Sequence, residues 1–228
     1  MIIITGASRG IGKFLYDNYK PKNILYGTYL STKPDFVEDN DHFFQVDISD
    51  YESVAHFIDS IQEKLSNIIL INCAGISYNA YTHKSDPKKW RNVIDTNLTG
   101  TYNMIHVILP FMRDQNYGRI INFSSVVAQK GTPGVSAYAA SKAGLWGLTR
   151  SLAQENGRKG ITVNNINLGY VSLGMGVEQV PQSFQEIIKE QIPSKQFCDP
   201  IDILNTVDFL INTPYINGTS IDLNGGLI

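Results

Sequence analysis

Tyr138-Ala139-Ala140-Ser141-Lys142, with Ser125 thirteen positions upstream, is the stretch whose residue types and spacing can do chemistry. On a helix, positions four apart sit one above the other, so a phenol and an ammonium are held side by side. A free phenol loses its proton near pH ~10, and a neighbouring cation favours the phenolate. The spacing therefore predicts that Lys142 draws the Tyr138 pKa toward neutrality and makes it a general acid/base. Ser125 closes the run Ile120-Ile121-Asn122-Phe123, so its hydroxyl is expected at the carboxyl end of a strand, where open α/β sheets place ligands.

The elements that must position these groups follow from apolar runs alternating with helical periodicity. Strands are expected at 1–5, 23–29, 42–46, 67–72, 118–124, 161–167 and 219–223. Helices are expected to about Tyr19, over Asp50–Leu65, from Asp86-Pro87 toward Gln115 with a kink at Pro110, over 135–157, and from Asp199-Pro200 to about Asn212. Residues 31–41 are too polar and irregular for a helix. This alternation predicts an α/β fold, a single-domain doubly wound parallel sheet of Rossmann type spanning 1–228, with helices on both faces.

Composition narrows the function classes. At 228 residues the chain can bury a substantial core, and a net charge of −2 without a basic cluster excludes a nucleic-acid footprint. No apolar run approaches a membrane span, and no signal-peptide pattern precedes Met1-Ile2-Ile3-Ile4, so a soluble cytoplasmic protein is expected. Cys73 lies inside an apolar run and reads as a small core residue. The four histidines have no ligand spacing, so no metal is expected.

The turn Thr5-Gly6-Ala7-Ser8-Arg9-Gly10-Ile11-Gly12 joins the first strand to the first helix. Glycine permits a tight turn and close approach to a pyrophosphate, and the helix N-terminus offers N–H groups to the phosphates. The strand–turn–helix context makes this a dinucleotide fingerprint, with Gly6, Ser8, Arg9, Gly10, Ile11 and Gly12 at the cofactor. No acid ends the second strand, as an NAD ribose contact would require; the segment reads Gly27-Thr28-Tyr29-Leu30-Ser31-Thr32-Lys33. Arg9 and Ser31, with Lys33, can hold a 2′-phosphate, so NADP (as NADPH) is expected over NAD.

With these residues on the page, the chain resembles the short-chain dehydrogenase/reductase family in its classical branch, similar to 3-oxoacyl-carrier-protein reductases. The resemblance extends through Asn72-Cys73-Ala74-Gly75, the segment Thr96-Asn97-Leu98-Thr99-Gly100 and the tail 215–226. It implies that Asp47, with Ile48, meets the adenine, and that Asn72, Ala74 and Gly75 brace the sheet beside the cofactor. Gly169 and Val171 are implied at the nicotinamide amide. It implies that Ser125 polarises a carbonyl, Tyr138 donates a proton, Lys142 also binds the nicotinamide ribose, and Asn97 holds a relay water. Leu168 stands where the family usually has proline, which is expected to loosen that turn.

The substrate loop is expected over 172–197, hinged at Gly174 and Gly176. Positions 184, 187, 188 and 192 read as the apolar face of a surface helix packed on the core, and Ser77, Tyr78 and Tyr81 as pocket wall. The expected activity is hydride transfer between NADPH and a small-molecule carbonyl or alcohol. A catalytically idle cofactor-binding scaffold is the alternative. An extended-branch epimerase is disfavoured by the 86 residues after Lys142, too few for its usual substrate domain. Ile105, Val107, Ile108 and Phe111, with Leu145, Trp146, Leu148 and Leu152, suggest the interface of a homodimer or homotetramer.

Overall fold

The computed structural model describes residues 1–32, 42–178 and 180–228. Strands β1 (Ile2–Thr5), β2 (Leu25–Tyr29), β3 (Phe43–Gln45), β4 (Ile69–Asn72), β5 (Gly118–Ser125), β6 (Ile161–Leu168) and β7 (Ser220–Leu223) form one sheet in the order β3-β2-β1-β4-β5-β6-β7. Every pairing is parallel. The helices are α1 (Gly10–Tyr19), α2 (Tyr51–Ile61), α3 (Pro87–Ile94), α4 (Gly100–Gln115), α5 (Val127–Lys130), α6 (Ser136–Asn156), α7 (Met175–Glu178), α8 (Gln182–Gln191) and α9 (Pro200–Asn212). The order of strands reverses between β1 and β4, which opens a crevice beyond their carboxyl ends.

Both faces of the sheet are covered, as continuous apolar strands demand. Ile3 points into a core with Val54, Ile58, Ile105, Ile108, Ile120 and Val163 beneath α2 and α4. Its neighbours Ile2 and Ile4 point the other way, onto Leu15, Tyr16, Ile203 and Val207 of α1 and α9. The alternation is the period-two pleat of a strand buried on both sides. Three helices start on aspartate caps: Asp50 accepts from Glu52 N, Asp86 from Lys88 N and Asp199 from Ile201 N.

The single helix expected from Pro87 to Gln115 is interrupted. Asp95–Thr99 forms a π-helical turn between α3 and α4, while Pro110 lies inside α4. The cause sits at Asn97, whose side chain accepts from Ile76 N at 2.8 Å and donates to Ile76 O at 2.9 Å. Thr101 Oγ1 meanwhile donates to the Asn97 carbonyl. Side-chain competition of this kind disturbs the helical ladder, and such turns gather at functional sites.

Other expectations change on folding. Ile105, Ile108, Leu145 and Leu152 are buried within this one chain, so half of the apolar residues assigned to a subunit interface are core. Helix α8 forms, yet Phe184 and Ile187 stand exposed at 58% and 55%, and only the following Ile192 is buried. Tyr78 accepts a hydrogen bond from Asp86 N and Tyr81 points to solvent, so of the three residues expected at the pocket wall Ser77 alone lines the cleft. Lys33 and most of the segment 31–41 lie outside the described residues.

Candidate active site

A cleft of about 460 Å³ opens beyond the carboxyl ends of β1, β4, β5 and β6. Its floor at one end is backbone. Gly6 adopts φ +65°, a left-handed conformation that a side chain rarely takes, and a Cβ there would lie 2.8 Å from Ala74 Cα. A Cβ on Gly12 would run into the Gly6 carbonyl oxygen. These absent side chains let the start of α1 lie directly on the turn. Thr5 Oγ1 accepts from both Cys73 N and Ala74 N at 3.1 Å, tying the end of β1 to the segment after β4.

Helix α1 begins at an extended Arg9 with no side-chain cap, leaving its first N–H groups to the cleft. Gly6, Ser8, Arg9, Gly10, Ile11 and Gly12 all line it, and Ser31 and Thr32 lie along it at the end of β2. Asp47 and Ile48 line it too; Asp47 Oδ1 is held by Ser49 N at 2.9 Å and Ser49 Oγ at 2.6 Å. A cradle that a Cβ would fill, with free helical N–H groups and a cation at its rim, suits the diphosphate of a dinucleotide.

At the other end stand Ser125, Tyr138 and Lys142. Ser125 is the last residue of β5 and lines the cleft with Tyr138; its hydroxyl pulls the phenol pKa down. Lys142 is 5% exposed; its ammonium donates to Phe123 O at 2.7 Å and lies 5.6 Å from the centre of the Tyr138 ring. Burial lowers the Lys142 pKa to about 8. The Tyr138 phenol moves the other way from the sequence expectation. Burial pushes it up to about 12, against the pull of the Ser125 hydroxyl. Helical spacing brings the two side chains to one face, but desolvation outweighs the distant amine. At neutral pH the phenol is a fully protonated donor.

Ala74, Gly75, Gly169 and Val171 line the cleft with Ser125, Tyr138 and Lys142, whereas Asn72 and Asn97 stand behind it. Asn72 Nδ2 donates to Asn122 Oδ1 and braces β4 to β5. Asn97 holds Ile76 and Ser141. A Cβ on Gly75 would lie 3.3 Å from Asn97 Oδ1 and 3.5 Å from Lys142 Nζ, so that glycine keeps the space between them open. The turn after β6 is paired on both sides. Leu168 pairs in register with Ser125 and Leu223, its carbonyl accepts from Val126 N, and Gly169 N donates to Leu223 O.

Cys73 packs against the core as its apolar run predicts, and it also borders the cleft. Burial pushes its thiol up to about 12 while the Lys142 charge pulls down. Leu173, Gly174 and Met175 also line the cleft, and a Cβ on Gly174 would lie 3.3 Å from Gly10 Cα. Among the described residues no group of acids, histidines and cysteines can hold a metal, and no helix is long and apolar enough to cross a membrane.

The short chain dehydrogenase family profile matches residues 1–183. The chain is 40% identical to an acetoacetyl-CoA reductase of Shinella zoogloeoides over 233 residues, covering 98% of this chain and 96% of that protein. An acetoacetyl-CoA reductase of Rhizobium meliloti (strain 1021) is 39% identical at the same coverage. A 3-oxoacyl-[acyl-carrier-protein] reductase of Staphylococcus aureus (strain N315) is 34% identical over 238 residues, covering 99% and 96%. The protein belongs to the short-chain dehydrogenase family and is an oxidoreductase acting on carbonyl or CH–OH groups.

Proposed function

We propose that this protein reduces the 3-oxo group of a small 3-oxoacyl thioester of the acetoacetyl-CoA type, with NADPH as the reductant. The observation that carries the reading is that the Ser125 and Tyr138 hydroxyl groups line one cleft beside the buried Lys142. Two hydroxyls in one cleft suit a carbonyl oxygen that becomes an alkoxide, because preorganised donors stabilise charge as it develops. The names of the most similar relatives supply the thioester.

The bound nicotinamide supplies the hydride. The chain's own residues do the rest. Ser125 donates to the substrate carbonyl oxygen, and Tyr138 transfers its proton to that oxygen as negative charge builds there. Lys142 holds its ammonium against Phe123 O and stabilises the phenolate left behind. Asn97 fixes Ile76 and, through Ser141, the turn of α6 between the two catalytic residues. Arg9 and Ser31 take the 2′-phosphate, and Asp47 and Ile48 the adenine. Gly169 and Val171 offer backbone to the nicotinamide amide. The exposed aromatic patch of Tyr51, Tyr102 and His106 on α2 and α4 leaves a face for a second copy, consistent with a cytoplasmic homodimer or homotetramer.

The deciding experiment follows NADPH absorbance with acetoacetyl-CoA, acetoacetyl-carrier protein and simple ketones. Rapid oxidation with a thioester and little with the ketones is expected. No consumption with either thioester would end the substrate assignment, and faster turnover with NADH would end the cofactor assignment.

A further inference from the structure

Helix α6 carries Tyr138 and Lys142, yet the face it lays on the sheet is only partly apolar. Ala137, Leu145, Leu152 and Ala153 are buried beside Ser141, Lys142, Thr149 and Asn156. Apolar burial is non-directional, so it holds such a helix down without fixing its rotation. Hydrogen bonds to fixed partners do fix it. The chain's two tryptophans both supply them. Trp90 in α3 donates its indole N–H to Ser136 Oγ, at the start of α6, at 3.2 Å.

Trp146 makes the more connected contact. Positions 138, 142 and 146 share one helical face. The Trp146 indole N–H lies 3.0 Å from Ser124 Oγ and 3.0 Å from Asn167 Oδ1, in the neighbouring strands β5 and β6. Ser124 has one hydroxyl proton, and it goes to the Lys142 carbonyl at 2.9 Å, so Trp146 occupies its acceptor side. Asn167 Nδ2 donates to Asp222 Oδ1 in β7 at 2.7 Å, and Gln129 Nε2 of α5 donates to that same oxygen at 3.1 Å. Ser124, Asn167 and Asp222 are in register across the sheet. One indole N–H thus joins the backbone of Lys142 to three strands and to the short helix that follows Ser125.

We propose that Trp146 is a positioning residue for the proton-transfer pair, setting the rotation of α6 so that Lys142 and Tyr138 stand over the ends of β5 and β6. The inference rests on the reductase reading above. Trp146 does not line the cleft and acts through Ser124. Without its N–H, two buried oxygens lose a donor, a cost that a shift of α6 relieves. Misplacing a catalytic group by on the order of 1 Å can cost about a hundredfold in rate.

Trp146→Phe keeps an aromatic ring and removes the donor. Its kcat for acetoacetyl-CoA reduction is expected to fall by about tenfold or more, while KM for the thioester and Kd for NADPH stay within about twofold. Ser124→Ala should give a loss of the same kind, and the double variant should lose no more than the larger single loss, because both sit on one link. An unchanged kcat in folded Trp146→Phe, whatever its melting temperature, overturns the proposal, as do additive losses. If that variant does not fold, Asn167→Leu removes one acceptor and leaves the indole in place; a kcat-selective loss supports the role and an unchanged kcat ends it. A wild-type protein without NADPH-dependent thioester turnover strikes the functional reading itself, whereas an active wild type with indifferent variants strikes only the positioning role.

Discussion

The two ends of the cleft are built by opposite means. The cradle around β1 and α1 is made of backbone and missing side chains: Gly6 and Gly12 allow contacts that a Cβ would block, and Thr5 ties the end of β1 to the segment after β4 through the N–H groups of Cys73 and Ala74. The catalytic end is made of side chains. A row of hydrogen bonds runs across the sheet from Asn72 to Asn122, Thr149, Asn165 and Ser220, and Trp146 carries a second row above it. The first end should therefore fail when an atom is added, and the second when a polar atom is removed.

The largest effect is expected at the catalytic end. Tyr138→Phe deletes one oxygen, and loss of a general acid costs roughly 10²–10⁴-fold in rate. NADPH affinity should stay within a few-fold, since the cradle is untouched. Single-turnover kinetics measure the step directly, and a variant keeping more than about a tenth of the wild-type rate would remove Tyr138 from the acid role. At the cradle the matching change is an addition. Gly12→Ala sets a methyl group against the Gly6 carbonyl oxygen, and overpacking of this kind costs about 1–3 kcal/mol. Because the displaced atoms are the cradle itself, NADPH affinity should fall by about tenfold to a hundredfold. Calorimetric titration with NADPH checks it, and wild-type affinity would break the contrast between the two ends.

This difference also explains what was legible in the chain. Glycines whose role is to lack a side chain announce themselves by spacing, and Ser125, Tyr138 and Lys142 are set by the end of one strand and one helical turn. The parallel sheet was equally readable, because each run of isoleucines is buried on both faces. The polar rows were not. Asn165 and Asn167 sit two apart on one face of β6, matching Asn122 and Ser124 on β5, and that repeat of polar residues inside buried strands was the available signal. Nothing local reveals that Thr149 and Trp146 meet them from α6. The π-helical turn at Asn97 was hidden for the same reason, since its partner Ile76 is twenty-one residues away. The Tyr138 pKa was misjudged because desolvation is a property of the folded cleft.

A smaller effect tests the rim of the cradle, where a side chain does carry weight. Arg9 is exposed at the first helix's N-cap with Ser31 and Thr32 along the same cleft. A charge-assisted hydrogen bond contributes about 1.5–3 kcal/mol, so Arg9→Ala should lower the NADPH-over-NADH preference in kcat/KM by about tenfold or more. The NADH value should change little. An unaltered preference would assign the 2′-phosphate to other groups.

The smallest expected effect separates the two titrating groups at the catalytic end. Burial sets Lys142 at about 8 and Tyr138 at about 12. The ammonium form of Lys142 exists below its pKa, and the proton-donating form of Tyr138 exists below its own. Reduction should therefore be nearly level through neutral pH and fall to about half its plateau near pH 8, as Lys142 loses the charge that stabilises the phenolate left when Tyr138 gives up its proton. Tyr138 stays protonated through that range, so the descending limb belongs to the amine. Had the amine drawn the phenol toward neutrality, the limb would begin below pH ~7, and the oxidation of the alcohol would show a mirror-image rise at the same point. Measuring kcat for reduction between pH 6 and 10 at saturating substrate distinguishes these outcomes. A limb near neutrality would mean that the charged amine governs the phenol after all, and that a single change at Lys142 must alter the acid strength of Tyr138 as well as the charge around it.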